Sequence, residues 1–168
     1  MTAAPERASG TAPEEAARTA VESDIPGVAA LAGAATAEKL GQKGGILWAR
    51  REGRPAPQEE ALRSALAWPD HEVAVGTLDG VVVGYGVVRT ETLLDGGLLG
   101  VIEDIYVDPG ARAVGVGETL MNHLIDWCRA RGCFGVDSLA LPGDRDTKNF
   151  FESFGLVARA IVVHRPLS

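Results

Sequence analysis

VIEDIYVDPGARAVGVGETLMNHL, residues 101–124, is the stretch on which the reading of the whole chain turns. It divides into a strand, a glycine-bearing turn and the start of a helix. Residues 101–107 are rich in β-branched and aromatic side chains and stop at Asp108-Pro109-Gly110, a turn signal. From Gly115 the apolar residues Val116, Leu120, Leu124 and Cys128 recur four apart, and Met121, Ile125 and Trp127 widen the stripe. Between strand and helix lies Arg112-Ala-Val-Gly115-Val-Gly117, the spacing R-x-x-G-x-G. The first N–H groups of a helix have no partner within it and carry partial positive charge, and glycines let a ligand come close to that backbone. A phosphate or pyrophosphate is the natural occupant, with Arg112 placed to add a fixed positive charge.

Two other phosphate-binding motifs are excluded. A P-loop needs Gly-Lys-Ser/Thr, which does not occur, and the G-x-G-x-x-G fingerprint that Gly115 and Gly117 begin meets Leu120 at its third glycine.

Working outward, Asp79-Gly80 predicts a tight hairpin between strands over Glu72–Thr77 and Val81–Thr90. Gly84 and Gly86 inside the second of these mark a bulge or a close approach. Leu98–Val107 follows as a strand, Gly115–Arg131 as a helix ended by Gly132, and Phe134–Leu141 as the next strand. Asp144 caps a helix that reaches Phe154, Gly155 ends it, and Leu156–Arg165 reads as a last strand. Upstream, residues 1–16 are dominated by Ala, Pro, Glu and Thr and predict a mobile tail before one domain over residues 17–168. A first strand near Arg18–Val21 leads into a helix with Ser23 or Asp24 as cap and Pro26 in its first turn. Gly41–Pro57 reads as a loop in which Trp48 anchors to the core or walls a substrate pocket, and Gln58–Trp68 as a second helix. The order is β-α-α-β-β-β-α-β-α-β: a mixed α/β (α+β) class with the strand at 101–107 and the strand at 134–141 joined as a parallel crossover.

With 168 residues, 46% apolar, the chain is an ordinary globular domain. A net charge of −7 without a basic cluster argues against nucleic acid or an anionic membrane as partner and suits a cationic substrate such as an amine. Cys128 and Cys133 are the only cysteines, too few for a disulfide framework or a metal site. No apolar run approaches the roughly 18 residues of a membrane helix and no signal peptide is visible, so a cytoplasmic protein is expected.

The strand, R-x-x-G-x-G, long helix, strand, turn and second helix together resemble the GCN5-related N-acetyltransferase (GNAT) superfamily, most clearly over Ile102–Leu156. The resemblance implies a GNAT-like mixed sheet of six to seven strands with about four helices. It also implies acetyl-CoA as cosubstrate, its pyrophosphate at Arg112, Ala113, Val114, Gly115, Val116, Gly117 and Glu118. The pantetheine arm would lie along the backbone of Ile105, Tyr106 and Val107 between the two parallel strands, with Asp144 and Phe151 beside it. No metal is implied, and dimerisation is a tendency of the family.

Acetyl transfer to an amine needs a group to take the amine proton, a donor to polarise the carbonyl and a fate for the thiolate. Glu103 is the candidate base; by strand parity it shares a face with Ile105 and Val107, while Asp104 and Tyr106 share the other. A bulge would reverse that parity and bring in Asp104 instead. Glu103 can equally bind the acceptor without moving a proton. The polarising donor is expected to be the Val107 N–H. Departing from the family pattern, Phe151 stands where a tyrosine often serves as general acid, and Asp144 where an asparagine contacts the arm. The thiolate then leaves unassisted, or Tyr106 or Tyr85 supplies the proton, or the domain binds acetyl-CoA as a non-catalytic sensor. The first reading is an N-acetyltransferase acting on a primary amine of a small molecule or peptide, and the alternative is an acyl-CoA-binding regulatory module.

Overall fold

Strand β2, His71–Leu78, shows how one sheet serves two cores. Side chains alternate along a strand, so Val73 and Val75 point to one face with Ile25, Val28, Leu62, Tyr85 and Val87. Ala74 points to the other, with Val116, Leu120, Met121, Leu124 and Phe151. The computed structural model describes residues 12–167. Around β2 it places β1 (Glu15–Thr19), β3 (Val81–Thr92), β4 (Leu98–Val107) and β5 (Gly135–Ser138) in the order β1-β2-β3-β4-β5. The first three pairings are antiparallel and β4–β5 is parallel. Helices α1 (Ile25–Leu40), α2 (Gly45–Arg51) and α3 (Gln58–Ala67) precede β2; α4 (Val116–Ala130) makes the crossover and α5 (Arg145–Ser153) follows β5.

The mixed α/β sheet and parallel crossover agree with the sequence reading, and Asp79 (φ 50) and Gly80 (φ 79) make the expected hairpin turn. Four details differ. Among the described residues the sheet has five strands, not six or seven, because residues 157–167 join no ladder; their β-branched residues favour a strand, but a strand forms only when paired with a neighbour. The helices number five among the described residues, since Gly45–Arg51 within the expected loop forms α2, which buries Trp48 as a core anchor. β1 starts at Glu15 rather than Arg18 and so takes in part of the expected tail; as an exposed edge strand it needs the β2 ladder and little apolar content. The rest of that tail, residues 1–11, lies outside the described residues.

The fourth difference is a β-bulge in β4. Val87 pairs with Asp104 and its neighbour Val88 with Ile102, leaving Glu103 as the extra residue. Ile102, Ile105 and Val107 therefore face α4, whereas Tyr106 faces α1 with Tyr85. Glu103 does not share a face with Ile105 and Val107: it and Asp104 both reach arginines on the α1–α3 side.

Gly84 and Gly86 mark a close approach. A Cβ at Gly86 would stand 2.8 Å from Leu124 Cδ1 and one at Gly76, on the neighbouring strand, 2.6 Å from Val116 Cγ1. This glycine column seats α4 hard against the sheet and sets where its first turn meets the end of β4.

Candidate active site

The site is built where β5 stops. β5 pairs with β4 only over Leu99–Ile102, and Ser138 Oγ donates to the Ile102 carbonyl at 3.3 Å. The Asp108 N–H bonds Val83 O at 2.8 Å, which makes Gly84–Val107 a pair without mutual hydrogen bonds. The N–H and C=O of Val107, and by alternation those of Ile105, consequently point away from β3 to the open edge.

Next to that edge the chain turns into α4. Asp108 Oδ1 accepts from the Gly110 N–H at 2.8 Å, and Ala113 (φ 65) and Gly115 (φ 92) fold the backbone left-handed. Among the described residues no acceptor takes the N–H of Ala113, Val114, Gly115, Val116, Gly117 or Glu118. Alternating backbone handedness turns such N–H groups inward as an anion nest, and the α4 dipole adds to it. Six free donors beside an open strand edge fit a pyrophosphate followed by an amide-bearing arm, the chemistry of coenzyme A. Asp144 sits across the edge as cap of α5, accepting from the Thr147 N–H at 3.1 Å. Phe151 is buried in the α4 core, 6% exposed, and Phe150 packs 3.3 Å from where a Gly117 side chain would begin.

Arg112 is not a free cation. Its Nε donates to Val107 O at 3.0 Å, its terminal nitrogens reach Glu38 at 3.3 and 2.7 Å, and its guanidinium lies 5.3 Å over the Tyr106 ring. It ties the end of β4 to α1.

The two candidate carboxylates are clamped. Arg54 Nε donates to Asp104 Oδ2 at 2.8 Å and its terminal nitrogen to Glu103 at 3.2 Å, while Arg89 Nε donates to the other Glu103 oxygen at 3.0 Å. Asp104 is buried; Glu103 is half-buried and opens onto a cleft of about 500 Å³ lined also by Glu52, Glu60, Trp68 and His71. Burial, then the Asp104 carboxylate, pushes the Tyr85 phenol well above its ordinary range; burial, then Glu38, raises that of Tyr106. Both hydroxyls stay protonated at neutral pH.

Lys39 stands among these groups with its Nζ 4.5 Å over the Trp48 ring. That Nζ has no hydrogen bond or ion pair among the described residues, and burial lowers its pKa against the pull of Asp104, Asp144 and Glu38. Sequence reading missed Lys39, Glu38, Arg54 and Arg89. Arg54 meets Asp104 across 50 positions of chain, and no local spacing carries that. The histidines lie apart: His71 beside Asp70, His123 on Glu72, and His164 in the exposed C-terminal stretch. Among the described residues no three His, Cys, Asp or Glu groups gather as a metal site, and no helix is long and apolar enough to cross a membrane.

Comparison with known proteins identifies the family and the fold. The acetyltransferase (GNAT) family model matches residues 45–156. Glucosamine 6-phosphate N-acetyltransferase 1 of Oryza sativa subsp. japonica is 30% identical over 116 residues, covering 64% of this chain and 68% of that protein. Among solved structures, glucosamine-6-phosphate N-acetyltransferase from Arabidopsis thaliana superposes with a TM-score of 0.67 at 22% identity, covering 92% of this chain and 99% of its own. An aminoglycoside N-acetyltransferase in complex with CoA gives a TM-score of 0.69 at 16% identity, over 95% of this chain and 99% of its own.

Proposed function

Because this chain belongs to the acetyltransferase (GNAT) family, we propose that it moves the acetyl group of acetyl-CoA to a primary amine by direct attack of the amine on the thioester. The observation that carries the reading is the run of free N–H groups from Ala113 to Glu118 beside the uncovered edge of β4. Those donors hold the pyrophosphate, and the backbone groups of Ile105 take the arm.

The amine enters from the cleft at Glu103, where Glu52, Glu60 and the Trp68 ring suit a cationic group. Glu103, directly or through one water, takes the proton that the nitrogen gives up as the C–N bond forms. The Val107 N–H polarises the acetyl oxygen, so the charge of the tetrahedral intermediate falls on a fixed donor. As the C–S bond breaks, the sulfur leaves with its electron pair. Tyr106, protonated and on the α1 side of the β4 end, is the nearest phenol in the chain to the Val107 backbone and supplies the proton.

Calorimetric titration with CoA and acetyl-CoA, paired with thiol release over polyamines, amino sugars, aminoglycosides and short peptides, tests the reading. Binding with amine-dependent release of CoA is expected. Failure to bind either ligand overturns it, and binding with no turnover on any amine turns it towards an acyl-CoA-binding module.

A further inference from the structure

The C-terminal end of α1 spans the place where β4 and β5 part company. On one bank, Glu38 accepts from Arg112 at 2.7 Å, and Arg112 Nε holds the Val107 carbonyl at 3.0 Å, so the helix is tied to the end of β4. On the other, Gln42 and Lys43 line a cleft of about 440 Å³ together with Pro142, Gly143 and Asp144, the chain that follows β5. A side chain at Gly44 would begin 3.8 Å from Leu141 Cδ2 on that same stretch. Lys39 lies in the chain between these two attachments. Charges from both banks act on its ammonium, Asp104 of β4 and Asp144 at the head of α5.

The sequence holds three lysines, Lys39, Lys43 and Lys148. Lys43 is exposed, and Lys148 Nζ stands 2.7 Å from Glu152 Oε1 on its own helix. Lys39 alone is half-buried, with its Nζ 4.5 Å over the ring of the core residue Trp48. A lysine withdrawn from water without a carboxylate in contact gives up its proton more readily than a solvated one, and burial moves Lys39 in that direction. The neutral amine it then becomes is a nucleophile, which the ammonium is not.

We propose that Lys39 is an acceptor built into the chain: with acetyl-CoA bound and no amine in the cleft at Glu103, Lys39 Nζ takes the acetyl group and becomes Nε-acetyllysine. The inference rests on the acetyl-transfer reading. Nζ, having given its ammonium proton to solvent, forms a bond to the carbonyl carbon. The C–S bond breaks and the sulfur keeps the electron pair. One of the two protons left on the nitrogen passes to that sulfur, so CoA leaves as the thiol. The amide is stable to the thiol released, and the modification persists. Acetyl-lysine carries no charge, so Asp104 and Asp144 lose the cation between them and the added group occupies the space between the two banks. A chain short of amine substrate thereby turns itself down.

The full chain incubated with acetyl-CoA and no amine should gain the mass of one acetyl group. Peptide mapping should place it on Lys39, formed on the order of a hundredfold faster than on Lys43 or Lys148 because the donor is held beside it. The rate constant should not change with protein concentration, and Lys39→Arg should abolish the gain. Limiting acetic anhydride, with no CoA present, should also label Lys39 ahead of the other two lysines. Calorimetric binding of CoA without acetylation of Lys39 would overturn the proposal and leave transfer to an external amine standing, whereas failure to bind CoA would overturn both. Equal labelling of the three lysines by either reagent, or a rate that rises with protein concentration, would also overturn it.

Discussion

Arg54 Nε meets Asp104 Oδ2 at 2.8 Å, and both side chains are more than nine-tenths enclosed. Neither group could be buried alone, because an unpaired charge in the interior costs far more than its partner's attraction returns. Arg54→Ala should destabilise the protein by about 3 kcal/mol, measured by denaturant unfolding. Arg54→Met combined with Asp104→Leu should recover most of that loss, since apolar side chains of similar size need no partner. Equal stability of Arg54→Ala and the parent would show that water reaches Asp104.

Glu103 differs from Asp104 in facing the cleft while held from both sides by Arg54 and Arg89. As the base, its replacement in Glu103→Gln should lower kcat about a hundredfold with little change in KM for the amine. A raised KM with kcat retained would instead make Glu103 a carboxylate that only binds the acceptor.

The family resemblance sets Phe151 at a position where a tyrosine would be expected as general acid, and restoring the hydroxyl looks like a route to a faster enzyme. Its 6% exposure in the core with Val116, Leu120 and Met121 argues otherwise. Phe151→Tyr would bury a hydroxyl among aliphatic groups, at a cost of about 1–2 kcal/mol, and leave kcat unchanged. A tenfold rise in kcat would mean that the new phenol reaches the departing sulfur.

What could be read from sequence follows from how local the causes are. The crossover unit was legible because a β-branched and aromatic run, a glycine-bearing turn and a period near four succeed one another within residues 101–130. The pairing of Asp104 rather than Glu103 with Val87 was not, because a bulge is decided by the neighbouring strand and leaves no mark in its own residues. The same holds for Arg54, whose partner lies on β4 beyond α3, β2 and β3, and for residues 157–167, whose β-branched run promises a strand yet joins no ladder. Free N–H groups at Ala113–Glu118 were foreseeable from Gly115 and Gly117; that Arg112 would be bound to Glu38 was not.

Cys128 makes the alkaline limb of stability predictable. Its thiol is buried against Gly100, whose missing side chain would begin 2.5 Å from the sulfur. Burial, and then the neighbouring Cys133, pushes it from an ordinary 9.0 up to about 12. Between these values the folded protein keeps a proton that the unfolded chain has lost. The unfolded state then binds fewer protons, so unfolding free energy falls as pH rises through that window, and below it the contribution is fully present. Tyr85, also raised by burial, acts with the same sign at higher pH. Lys39 acts with the opposite sign, because burial lowers its pKa. Subtracting the pH–stability curve of Cys128→Ala from that of the parent should isolate the cysteine: a constant offset up to pH 9.0 from the lost packing, then a gap that narrows towards pH 12. Iodoacetamide at pH 8 should meanwhile modify the half-exposed Cys133 and spare Cys128. Rapid labelling of Cys128 in the native protein, or a gap that stays constant across the window, would mean that α4 opens at its C-terminal end far more readily than its close seat on Gly100 allows.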